Sequence, residues 1–330
     1  MTGGTIQARA WQLLDILADG EFHSGEALAG RLGVSRASVF NALDGVAEHG
    51  VALQRIRGRG YRLTQPWQRL ECEEISRWLG KDAGQFDVAI LPQAASTNTL
   101  LMQQAGVGAV APSGSVLAVE LQTAGRGRLG RIWRSGLGST LTFSLLWRFD
   151  YGLNALSGLS LAVGVALARA LDGLGAQGVR LKWPNDVLTE RGKLGGVLIE
   201  AQGDMLGPSA VVIGIGLNCS LPEKLLDQID QPAAALDEIC RDMTTRNRLL
   251  AAVLRELASA LRQFAQGGFA PFGGEWERYH IHQDRPVRLH MADGSVVSGV
   301  ARGVSETGEL RLETAQGMRR FNSGEVGGLR

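Results

Sequence analysis

Residues 122–133 read QTAGRGRLGRIW, and this segment determines how the middle of the chain is organised. Three glycines alternate with three arginines between a predicted strand at 116–121 and another that begins near Thr140. Glycine lets the backbone approach an anion closely, and arginine supplies a fork of donors that fits phosphate. The pattern therefore predicts a phosphate-binding loop between two strands. A solvated basic loop or a second nucleic-acid contact is the alternative.

The sequence around this loop predicts an α+β domain over residues 66–280. Apolar and polar residues alternate from Leu141 to Phe149, which is typical of a strand with one buried face. Further strands are predicted at 179–183, 197–200 and 211–215, and long helices at 156–174 and 246–266. This mixture of elements favours a sheet covered by helices.

The first 65 residues predict a separate domain, with Pro66 as its boundary. Apolar residues recur at helical spacing up to Leu17, and short strands are predicted at 51–56 and 61–63. Between them, Ser24 and Ser35 can cap two further helices. Three helices and a hairpin form a winged helix-turn-helix, whose third helix enters the major groove while the hairpin lies along phosphates. The residues expected to contact DNA are Ser24, Ser35, Arg36, Ser38, Asn41, Arg57 and Arg59.

The same pattern leaves a second interpretation open for this domain. Asp44 and Glu48 on the third predicted helix weaken its attraction for phosphate, so most of the positive charge lies on the hairpin. A winged helix that serves only as a protein-interaction module is the alternative.

Residues 281–330 predict a third, smaller domain. Short strands are expected at 287–291, 296–304, 309–313 and 318–321, and Asp293-Gly294 is a strong hairpin turn signal. Short strands with regular turns favour a small β-barrel. His280 and His282 are expected to lie on an exposed linker in front of it.

Composition excludes several classes of protein. The 330 residues carry 34 Lys and Arg against 33 Asp and Glu, a net charge of +1 that argues against a polycation coating nucleic acid. Three widely spaced cysteines support neither a disulfide framework nor a zinc knuckle. No secretory signal is recognised, and the apolar stretch at 156–174 is too interrupted to span a bilayer. We therefore expect a soluble, cytoplasmic protein without membrane contact.

A second motif, Lys182-Trp183-Pro184-Asn185-Asp186, ends a predicted strand, and Lys193 follows shortly after. Only four residues of the chain are lysine, and the other basic residues are arginine. Each lysine is therefore a candidate for a role that needs lysine itself. Asp186 could hold Mg²⁺ through its carboxylate, and Lys193 could neutralise charge on a phosphorus centre. An ordinary Pro-Asn-Asp turn is the alternative.

Two weaker motifs complete the set. Ser96-Thr97-Asn98 can present hydroxyl and amide groups to a small polar ligand, but these are also standard helix caps. Gly214-Ile215-Gly216-Leu217-Asn218 contains a lone GxG, for which a tight turn is the default interpretation. Neither a Walker loop nor a dinucleotide fingerprint is present in the sequence.

In this order along the chain, these motifs resemble those of the bacterial bifunctional biotin–protein ligase and biotin operon repressor family, the BirA family. The Gly-Arg string that ends in Trp133 is its most specific part. The resemblance covers essentially the whole chain. It implies a winged helix-turn-helix, a central mixed-sheet ligase domain related to class II synthetases, and a C-terminal SH3-like barrel.

The resemblance also implies roles for individual residues. The nucleotide would contact Arg131 and Trp133, the latter by stacking. Asn185, Asp186 and Asn218 would lie on the same side, with Asp186 as a ligand of Mg²⁺. Lys193, Arg126 and Arg128 would be catalytic, with Arg128 also on the nucleotide. The residues expected to bind biotin are Ser96, Thr97, Asn98, Gln122, Arg126, Gly127, Arg128 and Lys193.

The implied reaction uses ATP and Mg²⁺ to convert biotin to biotinyl-5′-AMP, which is both intermediate and corepressor. The implied partners are biotin, ATP, the biotin carboxyl carrier protein of acetyl-CoA carboxylase, biotin operator DNA and, with adenylate bound, a second copy of the chain. A lipoate-type acyl ligase and a non-enzymatic biotin-sensing repressor remain as alternatives.

Overall fold

The computed structural model describes residue 6 and residues 8–65, 67–106, 111–240 and 244–328. Pro66, the predicted boundary, lies outside the described residues. The N-terminal unit consists of α1 (Ala8–Leu17), α2 (Gly25–Leu32), α3 (Arg36–Glu48), β1 (Leu53–Ile56) and β2 (Gly60–Leu63). The two strands form an antiparallel hairpin. Three helices and a hairpin confirm the predicted winged helix-turn-helix.

Local chemistry explains where the helices of this unit begin and end. The Ser24 and Ser35 hydroxyls accept hydrogen bonds from the backbone N–H groups of Ala27 and Ser38, at 3.0 and 3.1 Å, and so cap α2 and α3. Gly33 ends α2 with a left-handed φ of 62°, which glycine adopts without steric cost.

The central unit is built on a seven-stranded mixed sheet. Its elements are α4 (Cys72–Leu79), β3 (Asp87–Ala94), α5 (Thr97–Ala105), β4 (Ser115–Gln122), β5 (Gly125–Arg126), β6 (Ile132–Trp133), β7 (Thr140–Phe149), α6 (Leu159–Gly173), β8 (Arg180–Lys182), β9 (Asp186–Thr189), β10 (Gly192–Gly203), β11 (Ser209–Asn218), α7 (Glu223–Leu226), α8 (Arg246–Gly267) and α9 (Gly273–Tyr279). The strand order is β3-β4-β7-β11-β10-β9-β8. β3 and β4 run parallel, and the other neighbouring pairs are antiparallel.

Helices cover both faces of this sheet. α6 and α8 pack against each other and share the main core with Phe143 and Leu145 of β7. α5 covers the other face, where Leu101 packs with Leu146. The prediction of one buried face for β7 was therefore wrong, because Thr142 and Ser144 are buried as well. Ser144 contacts Thr97 and Asn98 of α5, and Thr142 lines a cavity at the ends of the central strands.

The predicted helix at 156–174 begins later than expected. Residues Leu153–Leu156 form a separate 3₁₀ turn, and α6 starts at Leu159. Gly158, just before it, has a φ of 79°, and a Cβ there would lie 2.5 Å from Phe269. The close approach of Phe269 therefore fixes the start of the helix.

The C-terminal unit is a five-stranded antiparallel sheet. It contains β12 (Pro286–His290), β13 (Val296–Val304), β14 (Leu310–Thr314), β15 (Gly317–Phe321) and β16 (Glu325–Gly328). The strand order is β15-β14-β13-β12-β16, which adds one strand to the four predicted. Trp183 of the central unit donates its indole Nε1–H to the Gly308 carbonyl at 3.1 Å, and the two units share one core.

The expectation of an exposed linker at His280 and His282 was wrong. His280 is 5% exposed, and its ring lies 4.4 Å from that of Trp276. The chain turns back after α9 and bridges to β8, where the Ile281 N–H donates to the Leu181 carbonyl. Burial lowers the pKa of both histidines to about 4.

The N-terminal unit rests on the central one next to the predicted phosphate loop. Leu121 and Leu137 of the central unit belong to the N-terminal core, and the Leu137 N–H donates to the His49 carbonyl at 2.9 Å. Arg69 pairs with Asp15 at 2.6 Å. Within the described ranges, the helices include none that is long and apolar enough to cross a membrane.

Candidate active site

A cavity of about 840 Å³ opens at the ends of the central strands. The predicted ligand-binding motifs come together in its wall, although up to 122 positions separate them in sequence. Its lining includes every residue that the family resemblance assigns to biotin or nucleotide: Ser96, Thr97, Asn98, Gln122, Arg126, Gly127, Arg128, Arg131, Trp133, Asn185, Asp186, Lys193 and Asn218.

One end of the cavity is neutral and polar. Ser96 caps α5, and Gln122 at the end of β4 accepts hydrogen bonds through Oε1 from the Thr97 backbone N–H at 2.9 Å and the Thr97 hydroxyl at 3.2 Å. In the part of the chain that the structure describes, no hydrogen bond uses the Nε2 group of Gln122. Because Gln122 lines the cavity, this amide is available as a donor to a ligand. This end suits a small uncharged ring with carbonyl and N–H groups.

Asn98 is fixed more tightly than its assignment to biotin implies. Its Nδ2 donates to the Leu198 carbonyl at 3.1 Å and to Glu200 at 2.9 Å, and its Oδ1 accepts from Ser144 at 2.6 Å. The side chain thus has its donors occupied by protein and is 3% exposed. Sequence reasoning missed Ser144 and Glu200, because they lie about 50 and 100 positions away from their shared partner Asn98.

The Gly-Arg segment forms a small hairpin. β5 and β6 pair Gly125 with Trp133 and Arg126 with Ile132. A Cβ on Gly125 would lie 2.4 Å from the Trp133 carbonyl oxygen, so only glycine allows this approach. The structure thus places an arginine-rich turn directly over the cavity.

The three arginines of this hairpin have different partners. Arg126 pairs with Glu200 at 2.7 Å, Arg128 donates to Asn185 Oδ1 at 3.2 Å, and Arg131 pairs with Glu325 of β16. Desolvation lowers the pKa of Arg128, which lies deepest of the three; Asp186 acts in the opposite direction. The Glu325 contact brings the C-terminal sheet into the wall, which the sequence did not predict.

The GxG motif of β11 provides space for neighbouring side chains. A Cβ on Gly214 would lie 2.2 Å from Asn98 Oδ1, and one on Gly216 would lie 2.4 Å from the Trp133 indole. Gly214 therefore admits Asn98 at the neutral end of the cavity, and Gly216 admits Trp133. The default interpretation of a tight turn was wrong, because both glycines lie within a paired strand.

The second motif forms the connection between β8 and β9, with a cis peptide bond between Trp183 and Pro184. Asp186 begins β9 and meets Lys193 of β10, with Oδ1 and Nζ 2.7 Å apart. Burial lowers the pKa of Lys182, which also lines the cavity. Lys182, Lys193, Arg128 and Arg131 thus concentrate positive charge at this end.

Asn218 contacts the backbone that carries Lys193. Its Nδ2 donates to the Lys193 and Ala234 carbonyls at 3.2 and 3.1 Å. The Lys193 N–H in turn donates to the Pro232 carbonyl at 2.9 Å. Asn218, assigned to the nucleotide by the family resemblance, therefore holds the strand segment from which the Lys193 side chain extends.

The residues assigned to Mg²⁺ suit an ion that the protein and a substrate bind together better than an ion that the protein binds alone. Among the described residues, no three His, Cys, Asp or Glu side chains cluster in a way that could hold a metal ion. Asp186 offers one carboxylate, already paired with Lys193. One protein carboxylate together with substrate phosphates is a common way to bind Mg²⁺.

The winged helix-turn-helix presents most of its predicted DNA contacts at the surface. Ser24, Ser35, Arg36, Asn41, Arg57 and Arg59 are exposed, and Ser38 is half-buried. Aromatic rings hold some wing arginines: Arg59 lies 4.3 Å from the Phe22 ring centre, and Arg55 lies 4.5 Å from that of Phe40.

Known proteins share this arrangement along the whole chain. The HTH domain matches residues 9–62, the biotin/lipoate A/B protein ligase family matches 90–218, and the biotin protein ligase C terminal domain matches 282–326. The bifunctional ligase/repressor BirA of Escherichia coli K12 is 38% identical over 318 residues, which are 96% of this chain and 95% of that protein.

Ligases without the repressor name are similar over about three quarters of the chain. The biotin–[acetyl-CoA-carboxylase] ligase of Mycobacterium tuberculosis is 32% identical over 256 residues, 76% of this chain and 92% of that protein. The solved structure of the Aquifex aeolicus biotin protein ligase in complex with biotin and ATP superimposes with a TM-score of 0.61 at 30% identity. It covers 73% of this chain and 97% of that one. The chain belongs to the BirA family of bifunctional ligase/repressors.

Proposed function

We propose that this chain is an ATP-dependent biotin–protein ligase that makes biotinyl-5′-AMP and transfers biotin to a lysine of a biotin carboxyl carrier protein. The observation that carries the proposal is the division of one cavity into two chemical ends. Thr97 and Gln122 form a neutral polar end, and Arg128, Arg131 and Lys193 form a cationic end. A neutral ring system joined by a carboxylate to a nucleotide matches that division.

In the first step, a carboxylate oxygen of biotin attacks the α-phosphorus of ATP. A new oxygen–phosphorus bond forms, the bond to the β-phosphate oxygen breaks, and pyrophosphate leaves with the electron pair. Both reactants are anions, so their approach needs positive charge that is already in place. We assign this task to Lys193 and Arg128.

In the second step, the amine of a carrier lysine attacks the carbonyl carbon of the mixed anhydride. The carbonyl carbon–oxygen bond to phosphate breaks, AMP leaves, and the amine loses a proton. The anhydride reacts readily with water, so the Gly125–Trp133 hairpin over the cavity would protect it by excluding solvent. Mg²⁺ accompanies ATP as part of the substrate, with Asp186 as its protein ligand.

The second activity is repression of biotin biosynthesis genes. We propose that the adenylate promotes dimerisation, and that the dimer presents two winged helices to two half-sites of an operator. The exposed Arg36, Arg57 and Arg59 support phosphate and base contacts. Because the proposed carrier protein and operator DNA are cytoplasmic partners, we propose the cytoplasm as the place of both activities.

The experiment is transfer of labelled biotin to a purified carrier domain in the presence of ATP and Mg²⁺, with lipoate as the competing acid. Transfer of biotin but not lipoate supports the ligase proposed here. Transfer of lipoate instead would favour the lipoate-type ligase. Biotin binding without any transfer would favour a sensor that represses transcription without catalysis.

A further inference from the structure

Glu200 of β10 lies just outside the cavity and links two of the side chains that line it. Both its carboxylate oxygens accept hydrogen bonds from Nη2 of Arg126, at 2.9 and 2.7 Å, and Oε2 also accepts from Asn98 Nδ2 at 2.9 Å. From this geometry we propose that Glu200 is a positioning residue for the ligase, which holds the Gly125–Trp133 hairpin closed over the biotin end. The inference rests on the proposed function.

The first link fixes the hairpin. Arg126 lies in β5, and its backbone pairs with Ile132 across the hairpin. Its side chain reaches from the hairpin to the central sheet, because Glu200 lies on β10 opposite Val212 of β11. Among the described ion pairs, this one connects the hairpin to the sheet, whereas the Arg131 pair connects it to the C-terminal unit.

The second link fixes the neutral end of the cavity. Ser144 donates to Asn98 Oδ1, so the amide is oriented with its Nδ2 towards Glu200. Without the carboxylate, one N–H of a 3% exposed amide would lose its partner, which is costly in a buried site. A single carboxylate therefore sets the position of Asn98 and of the hairpin together.

This arrangement assigns Arg126 a different task from Arg128. Its guanidinium already has a carboxylate partner, so it acts through Glu200 on the hairpin rather than on the reacting phosphate. Loss of either Arg126 or Glu200 should then release the hairpin from the central sheet. The two losses should not add, since each removes the same interaction.

The experiment compares Glu200→Gln, Arg126→Gln and the double variant with wild type. Glu200→Gln keeps the size of the side chain and one acceptor for Asn98, but removes the charge that holds Arg126. Glu313→Gln is the matched control, because Glu313 pairs with Arg302 on the exposed C-terminal sheet at 2.8 Å. Thermal unfolding of each variant checks the fold.

The first measurement is trypsin cleavage after Arg128 and Arg131 in the absence of substrates. We expect Glu200→Gln to be cut there roughly tenfold faster than wild type, the scale of one charge-assisted hydrogen bond, with other sites unchanged. Equal cleavage in Glu200→Gln and wild type would overturn the proposal. This readout does not depend on ligase activity, so it remains decisive if wild type transfers no biotin.

The second measurement is the rate at which biotinyl-5′-AMP escapes and hydrolyses without a carrier. Glu200→Gln and Arg126→Gln should each raise this rate and the KM for biotin, with the KM for ATP nearly unchanged, and the double variant should match the single ones. If the effects of the two substitutions multiply in the double variant, Glu200 and Arg126 do not act through one interaction, which would contradict the proposal. A loss of kcat in Arg126→Gln alone would assign Arg126 to the reaction itself.

Discussion

The Nζ of Lys193 lies 2.7 Å from Oδ1 of Asp186, and both side chains are largely buried, with 19% and 18% exposed. The two residues meet because β9 and β10 form a hairpin whose register shifts between Lys193 and Gly195. The pair neutralises both charges within the cavity wall. A phosphate that takes over Lys193 therefore frees the Asp186 carboxylate for the cation that accompanies it.

Asp186→Asn should weaken the use of Mg²⁺ more than the use of biotin. The amide keeps the size of the side chain but removes the charge that a freed carboxylate would offer. We expect the Mg²⁺ concentration for half-maximal adenylate formation to rise about tenfold or more, since even the loss of a group behind a metal ligand costs roughly ten- to a hundredfold. The check is a Mg²⁺ titration of pyrophosphate release.

Asp227→Asn is the control for that titration, since Asp227 is exposed and does not line the cavity. If the required Mg²⁺ concentration rises equally in both variants, the rise reflects the overall charge of the protein and not a ligand role of Asp186. No rise in Asp186→Asn would remove Asp186 from the metal side.

The two glycines of β11 should affect different substrates. Gly214→Ala would press on Asn98 and raise the KM for biotin, whereas Gly216→Ala would press on the Trp133 indole and raise the KM for ATP. Overpacking of this kind costs about 1–3 kcal/mol, or roughly 5- to 150-fold. Steady-state kinetics with each substrate varied in turn provide the check. If both variants raise the same KM, the division of the cavity is wrong.

The wing arginines should control the salt dependence of DNA binding. Arg57→Ala and Arg59→Ala should each lower the slope of log K against log salt by about 1, as expected for one lost phosphate contact. Fluorescence anisotropy with operator DNA measures this slope. Arg285→Ala, in the C-terminal unit, should leave it unchanged. An unchanged slope in both wing variants would favour a winged helix that binds protein.

Burial of His280 should make stability fall in acid. Its pKa is lowered from 6.5 to about 4, so the unfolded chain binds a proton between these values while the folded chain does not. The contribution of His280 to the free energy of unfolding is complete above pH 6.5. It falls as the pH decreases and is about 3 kcal/mol smaller at pH 4. In His280→Gln, the free energy of unfolding in urea should change less with pH over that range than in wild type. The same pH dependence in both proteins would argue against a buried neutral ring.

The sequence predicted the elements with strong local signals. Ser24 and Ser35 marked the starts of α2 and α3, alternation from Leu141 marked β7, and Asp293-Gly294 marked the first C-terminal hairpin, as the structure confirms. These signals come from residues close together in the chain, where caps, turns and side-chain periodicity act directly.

Features that depend on distant residues could not be found in this way. Both faces of β7 are buried because α5 packs on the second, and His280 is buried because the chain turns back to β8. Glu200 and Glu325 reach the hairpin across 74 and 194 positions, and no local pattern indicates either contact.

The measurement that tests the central claim most directly is single-turnover formation of biotinyl-5′-AMP by wild type and Lys193→Ala. The biotin Kd and thermal unfolding of each variant serve as controls. The account predicts that wild type forms the adenylate and that the variant, still folded and able to bind biotin, does so on the order of a hundred- to a thousandfold more slowly. Adenylate formation by Lys193→Ala at the wild-type rate would contradict it.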